Sequence, residues 1–183
     1  MAGTTTPTVK VAVEITGIEA LSGAGSGVVF DKFHQLLNLA NGTTDGKIDR
    51  LYFVQETLKA ASATTSYDLS GSLTDAFGNA VVFAEVCLIA IYNRRTTALA
   101  NLNLGPHVTN GFGRLASSLG FWPADAAADA DQGSIVMPEG WLVLYNPGGV
   151  PVTAGSGDIL AVITSAVVGS TNSWDLLIAG RSV

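Results

Sequence analysis

The stretch YDLSGSLTDAFGNAVVFAEVCLIAIYN, residues 67–93, decides the fold. Its second half is rich in β-branched and aromatic residues and is flanked by turn residues, which favours one long strand over residues 80–93. Both sets of alternate positions are mostly apolar, so we expect the strand to be covered on both sides. A helix over the same residues is the alternative. The expected faces are Val82, Ala84, Val86, Leu88, Ala90 and Tyr92 on one side and Val81, Phe83, Glu85, Cys87, Ile89 and Ile91 on the other.

The first half of this stretch contains two aspartates beside glycine turns. Asp68 precedes Ser70, and Asp75 precedes the turn at Gly78. Paired carboxylates can perform acid–base chemistry when they are close together and their pKa values diverge. Aspartate beside a turn more commonly accepts hydrogen bonds from backbone N–H groups. We therefore expect both aspartates to be turn residues, with Thr74 or Asp75 capping one helical turn.

The rest of the chain repeats the alternation of strand and turn. Residues 9–15 place Val9, Val11, Val13 and Ile15 on one face of a strand. Turn sequences such as Asn-Gly and Pro-Glu-Gly separate further apolar segments, which are residues 28–39, 47–58, 64–69, 97–105, 134–137, 141–145, 150–153, 159–164 and 173–180. Residues 34–39 could instead form a helical turn, and residues 146–149 are predicted to be a turn. Roughly eight to ten strands at this spacing are typical of a sandwich or barrel. The sequence predicts an all-β fold, a jelly-roll-like β-sandwich over residues 9–183 as a single domain, with residues 1–8 as a flexible N-terminal arm.

Composition limits the classes of function. Of 183 residues, 48 % are apolar and only 13 % are charged, about half the usual charged fraction. Such a chain is expected to hide surface in an assembly, although a compact β protein rich in Thr, Ser and Gly is the alternative. The formal net charge of −6 argues against nucleic acid as a direct partner. The apolar run over residues 80–92 is interrupted by Glu85 and is too short for a membrane helix, and residues 1–10 do not resemble a signal peptide.

Isolated reactive side chains give little support for catalysis or metal binding. Cys87 is the only cysteine and lies in an apolar run, so we expect it to serve as packing. His34 and His107 belong to no metal-binding spacing. The alternating carboxylates of residues 124–132 do not match the calcium-loop pattern and are expected to form a solvated loop; they are Asp125, Asp129 and Asp131.

Glycine-rich turns and tryptophans are the remaining candidates for a site. Residues 23–27 and 155–157 lack the Gly-Lys-Ser/Thr ending of a phosphate loop. Trp122, Trp141 and Trp174 could form a stacking platform for sugars, but packing in the core or in an interface is the more common use of tryptophan. The sequence therefore predicts no catalytic, cofactor-binding or metal-binding residues, no cofactor and no enzymatic activity.

Several motifs resemble one family of proteins. They are TLKAASAT (residues 57–64), DLSGSLTDAFG (68–78), GDILAVI (157–163) and WDLLIAG (174–180). Together they are similar to a family of small β-rich virion structural proteins of tailed bacteriophages. The resemblance implies a decoration or cement protein on the capsid, located on the outer surface of the phage head after synthesis in the host cytoplasm. Its partners would be the major capsid protein and copies of itself in a homo-oligomer, a trimer or a dimer. A tail or fibre component that binds host-surface glycan is the alternative. No catalytic residue belongs to these motifs.

Overall fold

The computed structural model describes residues 9–20, 28–113, 120–122, 133–165 and 172–182. These residues form thirteen β-strands and no helix, and hence no helix that could cross a membrane. The predicted all-β class is confirmed. The strands are β1 Val9–Ala20, β2 Val28–Asn41, β3 Lys47–Ile48, β4 Arg50–Lys59, β5 Thr64–Asp68, β6 Leu73–Thr74, β7 Ala80–Val81, β8 Glu85–Asn93, β9 Leu102–Pro106, β10 Ser134–Val136, β11 Trp141–Pro151, β12 Ile159–Thr164 and β13 Asn172–Arg181.

Two four-stranded antiparallel sheets share the main hydrophobic core. Sheet I has the order β10-β9-β12-β5, and sheet II has the order β11-β8-β13-β4. Both sheets contribute fully buried side chains to one cluster, which is what makes the arrangement sandwich-like. Sheet I supplies Leu102, Leu104, Leu160 and Val162, and sheet II supplies Ile89, Ile91, Trp174, Leu176 and Ile178. The jelly-roll path stays a prediction.

Strands β1 and β2 form a long antiparallel ribbon. Their pairing runs without interruption from Val9 opposite Leu39 to Ala20 opposite Val28. The base of this ribbon enters a hydrophobic cluster, where Val9 and Leu39 pack with Ile48. Residues 34–39 are strand, as predicted, rather than a helical turn. The predicted arm, residues 1–8, lies outside the described residues, and the single-domain boundary stays a prediction.

The predicted single strand over residues 80–93 is wrong, because residues 82–84 separate β7 from β8. The Phe83 backbone N–H donates to Leu69 O at 2.9 Å, while the Ala84 N–H donates to Arg181 O at 2.8 Å. The chain thus passes from the small β6–β7 hairpin to sheet II within two residues. Burial on both sides is confirmed for Val86 to Ile89, which are all fully buried, whereas Ala90 and Tyr92 are only partly buried.

The predicted faces of β8 are also partly wrong, because a β-bulge lies at Cys87. Leu88 is paired with Ala179, but the next pair joins Val86 to Gly180, so Cys87 has no partner on β13. Alternation shifts by one residue at such a bulge. Val86 therefore shares the main core with Ile89 and Ile91, whereas Cys87 and Leu88 join the cluster beneath the ribbon.

The predicted turn at Asn146–Gly149 lies inside a strand. Strand β11 pairs Tyr145 with Leu88 and then Val150 with Val86, and the four residues between them form a wide irregularity. Arg181 stabilises it, because its Nη2 donates to Gly148 O at 2.6 Å. Gly149 has φ of +75°, and a Cβ there would lie 2.7 Å from Arg181 Nη2. A side chain at this position would therefore displace the guanidinium.

Two smaller predictions also need correction. Residues 75–79 form a hairpin loop between β6 and β7 and not a helical turn, because Asp75 N–H donates to Asn79 O across the loop. The alternation of residues 97–105 predicts Leu99 in a strand with Leu102 and Leu104. The structure places Leu99 before β9, with φ of +68° and a largely exposed side chain.

Candidate functional site

The outer face of sheet II, the face turned away from the main core, carries an apolar row that crosses all four strands. Backbone pairing aligns Val143 with Ala90, Ala90 with Leu177, and Leu177 with Phe53. We call these four residues the central row. Both of its ends are open to solvent, since Val143 is 39 % exposed and Phe53 is 50 % exposed. Exposed apolar side chains in a continuous row indicate a surface for contact with another molecule.

The row beside it begins with the most exposed tryptophan described in the chain. Trp141 is 70 % exposed and stacks on Tyr92, with ring centroids 4.4 Å apart and an interplanar angle of 23°. Asp175 follows on β13 and forms an ion pair with Arg94 at 3.0 Å. The Arg94 side chain also donates to the backbone carbonyl of Glu56 at 2.7 Å. The aromatic pair thus lies at the β11 side of the face, and the charges lie towards β4.

The row on the opposite side of the central row is covered by the chain itself in its middle, although Tyr145 at its β11 end is exposed. It contains Tyr145, Leu88, Ala179 and Leu51 in register. Leu88 and Ala179 are fully buried, and they pack in the same cluster as the base of the ribbon. The outer face of sheet II is therefore covered at one end and open at the other.

The inner face of the same sheet is closed by a hydrogen bond between the two sheets. Trp174 Nε1 donates to Tyr67 Oη at 3.0 Å, which satisfies a fully buried indole N–H. The Tyr67 hydroxyl lies 3.4 Å from Glu56 Oε1. Burial raises the pKa of Tyr67, so the hydroxyl stays protonated at all ordinary pH values. These contacts support folding, and they already occupy the polar groups of Trp174 and Tyr67 between the two sheets.

The first predicted turn aspartate behaves as expected and also meets a partner that sequence reasoning missed. Asp68 Oδ1 accepts hydrogen bonds from the backbone N–H and the hydroxyl of Ser70, each at 2.9 Å. The same hydroxyl lies 3.0 Å from Asp158 Oδ2, which accepts the Gly155 N–H at 2.7 Å. The three side chains join two distant turns. The signal for Asp158 was a Gly-Ser-Gly-Asp turn directly before a strand.

The second predicted turn aspartate holds the β6–β7 loop. Asp75 Oδ1 accepts the backbone N–H groups of Phe77 and Asn79 at 2.9 and 2.8 Å. Hydrogen bonds from the Asn79 side chain and backbone lower the pKa of Asp75. The predicted role as a backbone-bonding turn residue is confirmed. The structure brings Asp68 together with Asp158 and does not bring it together with Asp75 through any described contact.

The other candidate residues are in structural positions or outside the description. Cys87 is buried, and burial raises the pKa of its thiol. His107 Nδ1 lies 2.9 Å from the backbone carbonyl of Thr109. Trp122 is buried. Residues 23–27, Asp125, Asp129, Asp131 and the side chain of His34 lie outside what the structure describes. Within the described ranges, no three His, Cys, Asp or Glu side chains are grouped as a metal site.

Comparison of the chain with protein-family models, curated proteins and solved structures finds no match. The geometry of the outer face of sheet II is therefore the main basis for a functional proposal.

Proposed function

We propose that this chain is a non-enzymatic virion structural protein. It decorates the outer surface of a phage head as a homo-oligomer, binds the major capsid protein and stabilises the shell. The observation that carries the proposal is the open central row on sheet II, which includes Val143 and Phe53. A subunit of a shell needs surfaces of this kind, because interface centres are depleted in charge and enriched in aromatic residues.

The order of the strands supports the finer part of the proposal, a jelly roll. In chain order, the eight strands of sheets I and II pair first with last, second with seventh, third with sixth and fourth with fifth. These pairs are β4 with β13, β5 with β12, β8 with β11, and β9 with β10. A single long hairpin folded over into two sheets would produce this pairing. Jelly rolls recur in viral capsid and lectin domains, which agrees both with capsid decoration and with glycan binding.

Low charge supports attachment through many weak contacts. Only 13 % of the residues are charged, so little electrostatic repulsion opposes the packing of many copies on a repeating surface. Multivalent attachment strengthens retention by orders of magnitude without new contacts at each site. The resemblance of residues 39–91 to phage virion proteins points in the same direction.

Fractionation of the particle tests the proposal. Virions of the phage or prophage that carries the coding sequence are separated into heads and tails, and the chain is located by mass spectrometry and by imaging of intact particles. We expect the chain in the head fraction, with density outside the shell. Its occurrence in tail fractions alone would contradict a decoration role.

A second function, binding of host-surface glycan by a tail or fibre component, is favoured by Trp141. This side chain is exposed and is supported from one side by the Tyr92 ring, an arrangement that can stack on a sugar. A glycan array with the purified protein tests this function. Binding that is lost in Trp141→Ala but kept in Trp141→Phe would support it, and an array without signal would remove it.

A further inference from the structure

The outer face of sheet II changes from covered to open within a few residues. Leu88 is fully buried beneath the base of the β1–β2 ribbon, whereas Val143 and Phe53 in the adjacent row are exposed. The element that packs on Leu88 is the end of the ribbon that contains Val9 and Leu39.

The ribbon is much longer than the part that covers its own sheet. Twelve consecutive pairs join β1 to β2, and β3 is the described strand that pairs with this ribbon, at Ala40 and Asn41. Twelve residues at about 3.4 Å each make a ribbon roughly 40 Å long, whereas four strands at about 4.8 Å spacing make a sheet under roughly 20 Å wide. An isolated two-stranded ribbon is marginally stable in water. The part of the ribbon beyond its base would therefore gain stability from a surface on which it could pack.

The register gives the ribbon two chemically different sets of positions. From the base, the positions in phase with Val9 and Leu39 are the pairs Val11–Leu37, Val13–Gln35 and Ile15–Phe33, and towards the tip they are Gly17–Asp31 and Glu19–Val29. The positions out of phase include Lys10–Asn38, Glu14–His34 and Thr16–Lys32, with the apolar pair Ile18–Phe30 towards the tip. Because alternate residues of a strand belong to opposite faces, the in-phase set is uncharged from the base to the Ile15–Phe33 pair, and the charges of that stretch belong to the out-of-phase set.

We propose that the β1–β2 ribbon of one copy lies across the central row of sheet II in a second copy. The contact would extend the existing interface between the ribbon base and the outer face of sheet II from within one subunit to the next. Its in-phase positions would meet Val143, Leu177 and Phe53, all of which are uncharged. The occupant is thus a second copy of this chain, and each copy both gives and receives a ribbon.

The inference deepens the homo-oligomer part of the proposed function and rests on it, but it does not require a phage particle. Purified protein in solution is sufficient for the test. Failure of the chain to bind heads would contradict the decoration role and leave the ribbon contact standing. A monomer at all concentrations would contradict the ribbon contact and leave attachment to heads open.

Sedimentation velocity and native mass spectrometry over a concentration series measure the association. We expect Val13→Asp with Ile15→Asp, and separately Phe53→Asp, to weaken association by at least about tenfold. The matched control is Ala12→Asp with Thr16→Asp, which adds the same charges at out-of-phase positions of the same strand and should keep the oligomer. Circular dichroism verifies that each variant is folded. Loss of association in Phe53→Asp with full association in the Val13/Ile15 variant would overturn the ribbon as the occupant.

Cross-linking of mixed copies gives a second readout that does not depend on destabilising the contact. One copy carries Ile15→Cys and the other carries Phe53→Cys, with the native Cys87 buried in both. A short bismaleimide should link the two kinds of copy to each other in preference to linking like with like. The proposal would be contradicted if cross-links formed only between two copies that carry the same cysteine, or only within single chains.

Discussion

The two faces of sheet II are built from neighbouring residues of the same strands, yet they have different surroundings. On the inner face, Ile89, Ile91 and Trp174 are fully buried against sheet I. On the outer face, Trp141 and Val143 are exposed although they are equally apolar. Alternation along a strand separates the two faces but does not say whether the chain itself covers each of them. The inner face thus serves folding, and the outer face is the one that we propose for association.

Exchange of the two tryptophans for alanine should separate the two faces most clearly. Trp174→Ala removes a fully buried indole from the inner face and should lower the free energy of unfolding by about 3–5 kcal/mol. Trp141→Ala on the outer face should change it by less than about 0.5 kcal/mol. Urea unfolding of the two variants at a concentration where the protein is monomeric makes the comparison. Similar losses in both would show that the outer face also supports the fold.

The variant Gly180→Ala tests the tight packing at the β-bulge of β8, which moves residues from one face of sheet II to the other. A Cβ at this position would lie 2.1 Å from Glu85 O and 2.8 Å from Phe83 Cδ1, so Gly180→Ala must move a backbone. Overpacking of this kind costs about 1–3 kcal/mol, occasionally more. Gly71→Ala is the control, because no atom lies within 4 Å of a Cβ built there. An unchanged urea midpoint in Gly180→Ala would refute the tight packing at the bulge.

Removal of one hydroxyl from each face gives a smaller contrast. Tyr67→Phe leaves the buried Trp174 Nε1 without its acceptor and should cost about 1–3 kcal/mol. Tyr145→Phe on the outer face is the control and should cost less than about 0.5 kcal/mol.

The contribution of Tyr67 to the free energy of unfolding should depend on pH in a defined direction. Burial raises the pKa of Tyr67 in the folded protein, so only the unfolded chain loses this proton near pH 10. The wild-type protein should therefore lose stability as the pH rises above about 10, and Tyr67→Phe should lose less. Chemical denaturation between neutral and strongly alkaline pH measures this slope. Equal slopes in both proteins would contradict the assignment.

The smallest effect is expected outside both faces, at the exposed β6–β7 loop. Hydrogen bonds from Asn79 lower the pKa of Asp75, so the ionised carboxylate stabilises the folded loop. That contribution is present above the unfolded pKa and is lost as the pH falls below about 4. Asp75→Ala should be less stable than wild type at neutral pH, and the difference should vanish in acid. Thr74→Ala is the control, and a difference independent of pH would argue for a purely steric role.

Local sequence patterns predicted strands and turns correctly where the structure depends on one short segment of the chain alone. Alternation identified β1, apolar segments beside turn residues identified β12 and β13, and Asp68 and Asp75 hold turns as expected. The bulge at Cys87 could not be predicted, because it depends on Gly180 of β13, which is distant in sequence.

The wide irregularity in β11 was missed for the same kind of reason. Asn146 to Gly149 have the composition of a hairpin turn, and only the buried Arg181 shows why they stay within a strand. The candidate surface was missed in a different way. The sequence predicted that residues 80–93 would be covered on both sides, and only the register showed that Tyr92 and Ala90 lie in rows with exposed ends.

The position of β13 has a consequence for the timing of synthesis. This strand lies between β4 and β8 in sheet II, so until the ribosome has added β13, β4 lacks its partner in the sheet and β8 can pair only with β11. Strand β4 must wait through the synthesis of roughly a hundred residues between Lys59 and Asn172, and one edge of the strongly apolar β8 stays open until the same point. Such unpaired strands are prone to aggregate during translation. A copy that is cut short before β13 cannot form sheet II, so incomplete copies are kept out of any assembly built on its outer face.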